Sequence, residues 1–340
     1  MHVLLIDDSI VIRKLLRAIL ESDGFRVSEA SSGEEALAML PAVQPDLISM
    51  DVHMPGIDGF ETTRRIMQVR PTPIVIVTAG IDLSGAETAM QALSAGALMV
   101  LDKPISPMDP SFQSRTDILL STFRHLAFMK VSPPGMSNGE GEQLPYQALA
   151  PWRERGQKVL AIGASAGGPA ALKTILAQLR PDCPWPVLLV QHISSGFASS
   201  FCAWLAEQTS LPVRLAVNGQ AAQPGHLHVA PDDHHLGLDG YGQIQLDTSQ
   251  ASVFARPSVD YLFDSLASAL RGQVLAVLLS GMGRDGAQGL AKLKTLGALT
   301  LVQQPASSIV AGMPQAAIEL NGASFIQTPL GIARTINNMM

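Results

Sequence analysis

Ser165 lies in the run Gly163-Ala164-Ser165-Ala166-Gly167-Gly168. The apolar stretch Val159-Leu160-Ala161-Ile162 precedes it, and Ala170, Leu172, Ile175, Leu176 and Leu179 follow at helical spacing. The pattern predicts a buried strand, a sharp turn and a helix whose unpaired N–H groups and positive dipole end lie behind the hydroxyl. Acyl transfer needs a nucleophile in such a place. His192 follows the apolar run 187–190, and Asp285 follows the run 274–279, within Gly281-Met282-Gly283-Arg284-Asp285-Gly286. All three residues fall just past the C-terminal ends of buried strands, where a nucleophile, a general base and an acid that orients the base can meet. A second set occupies strand ends in the front half: Asp7 and Asp8, Asp51, Thr78 and Lys103. Three carboxylates with a lysine and a hydroxyl suit a hard divalent ion, Mg²⁺, beside a phosphoryl group.

Two motif matches lead elsewhere. Gly163-x-Ser165-x-Gly167 fits the nucleophile elbow of α/β-hydrolases, but that fold orders its triad serine, acid, histidine, and here the order is Ser165, His192, Asp285. Gly281-x-Gly283-x-x-Gly286 fits a dinucleotide fingerprint, yet Gln303 and Gln304 stand where that fold wants an acidic residue. His226, His228, His234 and His235 offer no helical pair four apart and no cysteine partner. A polar strand face and a turn fit them better than zinc.

The elements that must hold these residues can be read from periodicity. Strands are expected over 2–6, 25–28, 47–50, 74–77 and 97–101. Helices should start near residues 10, 33, 59 and 84, with another over 111–129. Such alternation gives a doubly wound, five-stranded parallel sheet covered on both faces. Residues 130–155 are rich in Pro, Gly, Ser and Glu and read as a linker. Strand runs resume at 159–162, 187–190, 274–279 and 299–302, and the short alternations over 211–250 suggest an antiparallel insertion. The expected division is therefore 1–125, a linker over 126–154, and a second α/β domain over 155–340.

A chain of 340 residues fits two domains. Its net charge of −6 gives no reason to expect nucleic acid or an anionic membrane as partner. The opening apolar run, Val3 to Ile6, is a strand rather than a signal peptide, and no run approaches the ~20 residues of a membrane span. Cys183 and Cys202 are far apart without metal-type spacing, as expected of reduced thiols in a cytoplasmic protein.

The front half resembles the response-regulator receiver domain, with its flavodoxin-like fold. The matching stretches are Ile6-Asp7-Asp8-Ser9, Met50-Asp51-Val52-His53-Met54-Pro55-Gly56, Val77-Thr78-Ala79 and Asp102-Lys103-Pro104. The resemblance implies phosphorylation of Asp51 and Mg²⁺ held by Asp8, Asp51 and the main-chain carbonyl of His53, with Asp7 in the outer shell. It also implies that Thr78 and Lys103 bind the phosphoryl oxygens. Such a phosphoryl group acts as a charge switch.

Residues 158–320 resemble the esterase half of chemotaxis protein-glutamate methylesterases of the CheB type, with a Rossmann-like fold. The supporting motifs are Gly163 to Gly168, Gln191-His192, Ala230-Pro231-Asp232-Asp233-His234-His235, Arg256-Pro257-Ser258-Val259-Asp260, Gly281 to Ala287, and Gly312-Met313-Pro314. The family implies a triad of Ser165, His192 and Asp285, with the Met282 backbone N–H in the oxyanion hole and no cofactor in this half. It implies hydrolysis of glutamyl methyl esters on chemoreceptors, deamidation of glutamine by the same machinery, and a chemotaxis histidine kinase as phosphodonor. Three departures stand out: Ala166 replaces a threonine, Gln191-His192-Ile193-Ser194 lacks a Met-Pro pair, and Gln304-Pro305 replaces an acidic stretch. They leave the triad intact and bear on which receptors are substrates, flagellar or other. A receiver tethered to a triad suggests that the unphosphorylated receiver covers the esterase edge. The alternative is a non-catalytic phospho-switch that only binds receptors.

Overall fold

A computed structural model of the chain describes residues 1–79, 85–133, 144–193, 196–249 and 256–340. The chain divides into two units, Met1–Pro134 and Gly135–Met340, each described by itself below. In the first, β1 (His2–Ile6), α1 (Ile10–Ser22), β2 (Arg26–Ala30), α2 (Gly33–Val43), β3 (Leu47–Met50), α3 (Gly59–Val69), β4 (Ile74–Thr78), α4 (Gly85–Ala95), β5 (Met99–Asp102) and α5 (Phe112–Leu126) alternate. The strands form a five-stranded sheet in the order β2-β1-β3-β4-β5, and every pairing is parallel. Strands β1, β3 and β4 are buried along their whole length, as their unbroken apolar runs require. Ser9, Ser32 and Asp58 cap α1, α2 and α3 by accepting from Ile12, Glu35 and Glu61 N–H. The strand order reverses between β1 and β3, so their C-terminal ends open at the topological switch point. Two expected strands start later than periodicity suggests, because the preceding helices use those residues to close. Phe25 N–H donates to Leu20 O, and Ala97 N–H donates to Ala92 O.

The second unit opens with a short 3₁₀ turn (Tyr146–Leu149) and α6 (Ala150–Arg155). The last ten residues of the stretch expected as linker are thus helical turns. They dock through Trp152, whose ring meets Phe325 edge-on at 5.7 Å. Arg155 donates to the carbonyls of Leu296 and Gly297 at 3.1 and 2.9 Å. Then follow β6 (Val159–Ala164), α7 (Gly168–Leu176), β7 (Val187–Gln191), α8 (Ala198–Gln208), β8 (Val213–Leu215), β9 (Leu227–Val229), β10 (His235–Leu238) and β11 (Ile244–Asp247). The remainder is α9 (Val259–Leu270), β12 (Val274–Leu278), α10 (Ala287–Thr295), β13 (Leu299–Gln303), α11 (Gly312–Glu319), β14 (Phe325–Gln327) and α12 (Pro329–Met339).

Seven strands form one sheet in the order β14-β13-β12-β6-β7-β9-β8, parallel throughout. The antiparallel insertion expected over 211–250 is only half of that stretch. Strands β10 and β11 pair antiparallel, whereas β8 and β9 extend the parallel sheet. Three-residue strands are too short to show a period, and β14 escapes detection for the same reason. The core on one face is sealed by α9, which buries Val259, Leu262, Phe263, Leu266 and Ala267, each large side chain contributing about 1.5–3 kcal/mol. The histidines lie deeper than a polar strand face implies: His228 and His235 are each 1% exposed.

Candidate active site and phosphoacceptor site

Strands β12, β6 and β7 are neighbours, and Ser165, His192 and Asp285 all follow their C-terminal ends. The β6 strand is continued by Ser165, whose N–H donates to Ser280 O (3.0 Å) in the loop after β12. Gly167 makes the turn at φ +78°, a value open to glycine, and Ser165 O accepts from Gly168 N–H at 2.8 Å. His192 N–H donates to Ala164 O at 3.0 Å. Gln191 ties the two strand tips together, since its buried Nε2 donates to Ser165 O (2.8 Å) and His192 O (2.9 Å). Ser165 and His192 are thus registered through their own backbones.

His192 Nε2 lies 2.8 Å from Asp285 Oδ2. A carboxylate partner assigns the proton to Nε2 and leaves the Nδ1 lone pair as the base. Asp285 receives three further hydrogen bonds. Ser258 Oγ–H and Asp260 N–H donate to Oδ1, each at 2.9 Å, and Val259 N–H donates to Oδ2 at 2.8 Å. These donors are the cap and first turn of α9, so the carboxylate sits on a helix N-terminus. Burial pushes the Asp285 carboxyl up. The His192 bond and charge, with the Asp260 and Val259 N–H groups, outweigh that and hold it below its ordinary value. The side chain is therefore a buried, fully bonded anion. Ser258 shows in the sequence as part of the motif Arg256 to Asp260 and as a serine ahead of an apolar helical run, a cap signal, and neither assigns it a role at the site.

The loop after β12 also approaches Ser165. A Cβ on Gly281 would lie 2.8 Å from Ser165 Cβ and 2.1 Å from Met313 Sδ, so glycine alone lets this backbone pass. Ser280 locks it: its Oγ donates to Ala166 O (2.8 Å) and accepts from Val310 N–H (3.0 Å). Its N–H donates to Gln303 Oε1 at 2.8 Å. Among the described residues, the N–H groups of Met282 and Ala166 find no acceptor. One of these donors follows Ser165 in the chain and the other follows Gly281, whose backbone passes beside Ser165. Val259 packs into the same corner. A Cβ on Gly163 or on Gly286 would meet its Cγ1 at 2.2 and 2.5 Å.

In the first unit, Asp7, Asp8 and Asp51 each offer a carboxylate oxygen, and these oxygens lie within 4.8 Å of one another. Lys103 Nζ lies 2.7 Å from Asp7 Oδ2 and 2.9 Å from Asp51 Oδ2. Burial raises the Asp7 carboxyl above its ordinary value even with Lys103 beside it and Asp51 adding to the rise. Asp8 is exposed while Asp7 and Asp51 are buried. Among the described residues, the buried Thr78 hydroxyl has no hydrogen-bond partner and the carbonyl of His53 accepts no backbone hydrogen bond. An oxygen-only donor set, carrying more negative charge than the one lysine offsets, fits a small hard cation. The orphaned Thr78 hydroxyl fits a phosphoryl oxygen.

A sequence-family model for the CheB methylesterase matches residues 160–336, and one for the response regulator receiver domain matches residues 3–109. The chain is 44% identical to a protein-glutamate methylesterase/protein-glutamine glutaminase of Hahella chejuensis, over 100% of this chain and 98% of that one. It is 42% identical to one of Syntrophus aciditrophicus, over 98% and 97%. The chain belongs to the CheB methylesterase family. The crystal structure of the Thermotoga maritima CheB methylesterase catalytic domain aligns with TM-score 0.52 and 33% identity, covering 54% of this chain and 99% of that one. The CheB-type α/β architecture expected from the sequence is therefore the fold present.

Ala166 leaves no side-chain hydroxyl after the nucleophile, but Ser280 Oγ binds its carbonyl from the neighbouring loop. Gln304 takes part through its backbone, accepting at its carbonyl from the hydroxyls of Ser307 and Ser308 at 2.9 and 3.1 Å. Ser194, in the altered histidine loop, lies outside the described residues. No helix among the described residues is long and apolar enough to cross a membrane.

Proposed function

We propose that this chain is a protein-glutamate methylesterase, and by the same chemistry a protein-glutamine glutaminase, regulated by phosphorylation of Asp51. The observation that carries the reading is the hydrogen-bonded His192–Asp285 pair beside Ser165 on three adjacent strand tips. His192 Nδ1 takes the Ser165 proton as Oγ attacks the ester carbonyl. Asp285 fixes the tautomer and stabilises the imidazolium. The Met282 and Ala166 N–H groups receive the developing oxyanion, and each such donor is worth about 3–4 kcal/mol. His192 then gives its proton to the departing methanol, and water, activated by the same nitrogen, frees the glutamate. With glutamine, ammonia leaves instead.

The receiver reading rests on the acidic cluster and Lys103. Asp8, Asp51 and the His53 carbonyl would hold Mg²⁺, with Asp7 behind them. When bound, the ion supplies charge neutralisation for phosphoryl transfer to Asp51. Thr78 and Lys103 bind the phosphoryl oxygens. The partners are the cytoplasmic domains of methyl-accepting chemoreceptors and a chemotaxis histidine kinase, and the protein acts in the cytoplasm.

The test is methanol release from methylated chemoreceptor membranes, with and without acetyl phosphate. Ser165→Ala should abolish release under both conditions. Asp51→Asn should keep basal release and lose the response to the phosphodonor. Release unchanged by Ser165→Ala would leave a receptor-binding switch without esterase activity.

A further inference from the structure

We propose that His235 is a positioning residue for the triad, acting through Ser258 on Asp285; the inference rests on the triad reading above. His235, at the start of β10, is 1% exposed. Its Nδ1 accepts from Ser258 N–H at 3.1 Å. Ser258 is itself wholly buried. As the cap of α9, its Oγ accepts from Tyr261 N–H at 3.2 Å and donates to Asp285 Oδ1 at 2.9 Å. Residues 258–260 supply three of the four hydrogen bonds on Asp285. The cap residue has extended backbone, φ −116° and ψ 137°, so its N–H points away from the helix and needs a partner elsewhere. His235 is that partner. The bond fixes the tilt of the first turn of α9, and with it the direction in which Asp285 Oδ2 meets His192.

An imidazole does this only while Nδ1 carries a lone pair. The ring stacks on Tyr261, centroids 4.7 Å apart and 16° from parallel. The Tyr261 hydroxyl donates to Asp247 Oδ2 at 3.1 Å. The charged groups around the ring are Asp247 from β11, Arg256 from the segment before α9, and Asp285 from the loop after β12, together with the Ser249 backbone. Burial lowers the pKa of His235, and Arg256 adds to the effect against the pull of the two carboxylates and the Ser249 hydrogen bond. The neutral form is therefore the resting one, as the geometry requires. The sequence shows His235 as one of four clustered histidines and as the end of the motif Ala230 to His235, with no role attached.

The test compares His235→Asn with His235→Gln in the full chain, at saturating acetyl phosphate. The readout is methanol release from methylated chemoreceptor membranes between pH 5 and 9. The Asn Oδ1 can take the place of Nδ1, whereas the Gln amide reaches the position of Nε2. A well-aimed Asp285 stabilises the His192 imidazolium, so a misplaced one lowers the acid limb of kcat/KM. His235→Asn should leave that limb within about 0.2 pH unit of the parent. His235→Gln should lower it by about half a unit or more and cut kcat roughly tenfold, with KM changed less than about twofold. Ser258→Ala, which keeps His235, should move the limb the same way. A smaller folded fraction would scale kcat without moving the limb, so a purely structural role is separable. Equal limbs in parent and Gln variant, equal shifts in the Asn and Gln variants, or an unmoved limb in Ser258→Ala overturns the proposal. Absence of release from the parent chain would overturn the esterase reading instead.

Discussion

Replacing Asp285 by asparagine keeps the size of the side chain and removes one acceptor. In the native site four donors converge on the carboxylate: Ser258 Oγ and Asp260 N–H on Oδ1, Val259 N–H and His192 Nε2 on Oδ2. An amide has one oxygen, so its NH₂ must face one of these pairs. Facing the Oδ1 pair, it meets the Asp260 N–H and a Ser258 Oγ that already accepts from Tyr261 N–H. Facing the Oδ2 pair, it forces His192 to accept at Nε2 and carry its proton on Nδ1, the nitrogen that must receive the serine proton. The second arrangement leaves a base in the wrong tautomer. Such an exchange costs about 10³–10⁴ in kcat, or roughly 4–5.5 kcal/mol of transition-state stabilisation. One donor left unpaired in either arrangement costs about 1–3 kcal/mol of stability as well. Methanol release gives kcat. Urea unfolding followed by tryptophan fluorescence gives the second figure, since Trp152, Trp185 and Trp204 all lie in the second unit. A loss in kcat below tenfold, with folding intact, would refute the assignment of Asp285 as the residue that sets the His192 tautomer.

Gly281→Ala should cut kcat at least tenfold and destabilise the fold by about 1–3 kcal/mol. The new methyl would meet Ser165 Cβ and Met313 Sδ, and Met313 is wholly buried. Activity within twofold of the parent would mean that the loop yields. His228 gives a stability signal away from the chemistry. Burial lowers its pKa to about 4, with Arg214 contributing, and its Nε2 accepts from Gln223 N–H at 3.1 Å. The folded state thus resists protonation that the unfolded chain accepts below pH ~6.5. Stability from this group is present above that pH and is lost as pH falls toward about 4, on the order of 2–3 kcal/mol. The slope of unfolding free energy between pH 7 and 4.5, read from tryptophan fluorescence, should flatten in His228→Gln.

The strand-and-helix alternation, the three residues at the strand tips and the acidic cluster were all legible in the sequence, because long apolar runs and strand-end polar residues carry local signals. What holds those residues was not. Ser258 and His235 are bonded across the fold, and their sequence motifs, though quoted for the family resemblance, say nothing of that contact. Gln191 was visible beside His192, but its amide works on two backbones at once, a role that no pattern of residue types encodes. Strands β8 and β9 fell within the stretch read as an antiparallel insertion and pair parallel instead, because three residues show no periodicity and pairing direction is set by tertiary contacts. Conversely, the strand-end positions of Asp7, Asp51 and Lys103 anticipate that they share one sheet edge, and the structure adds that Lys103 reaches both carboxylates.

Val259 touches the space left by both Gly163 and Gly286, and these two glycines belong to the strand of the nucleophile and the loop of the acid. One side chain thus fills a gap common to both. The three positions are therefore sterically coupled: a larger residue at Gly163 needs a smaller one at 259, whereas Gly286, at φ +84°, is held to glycine by its backbone as well.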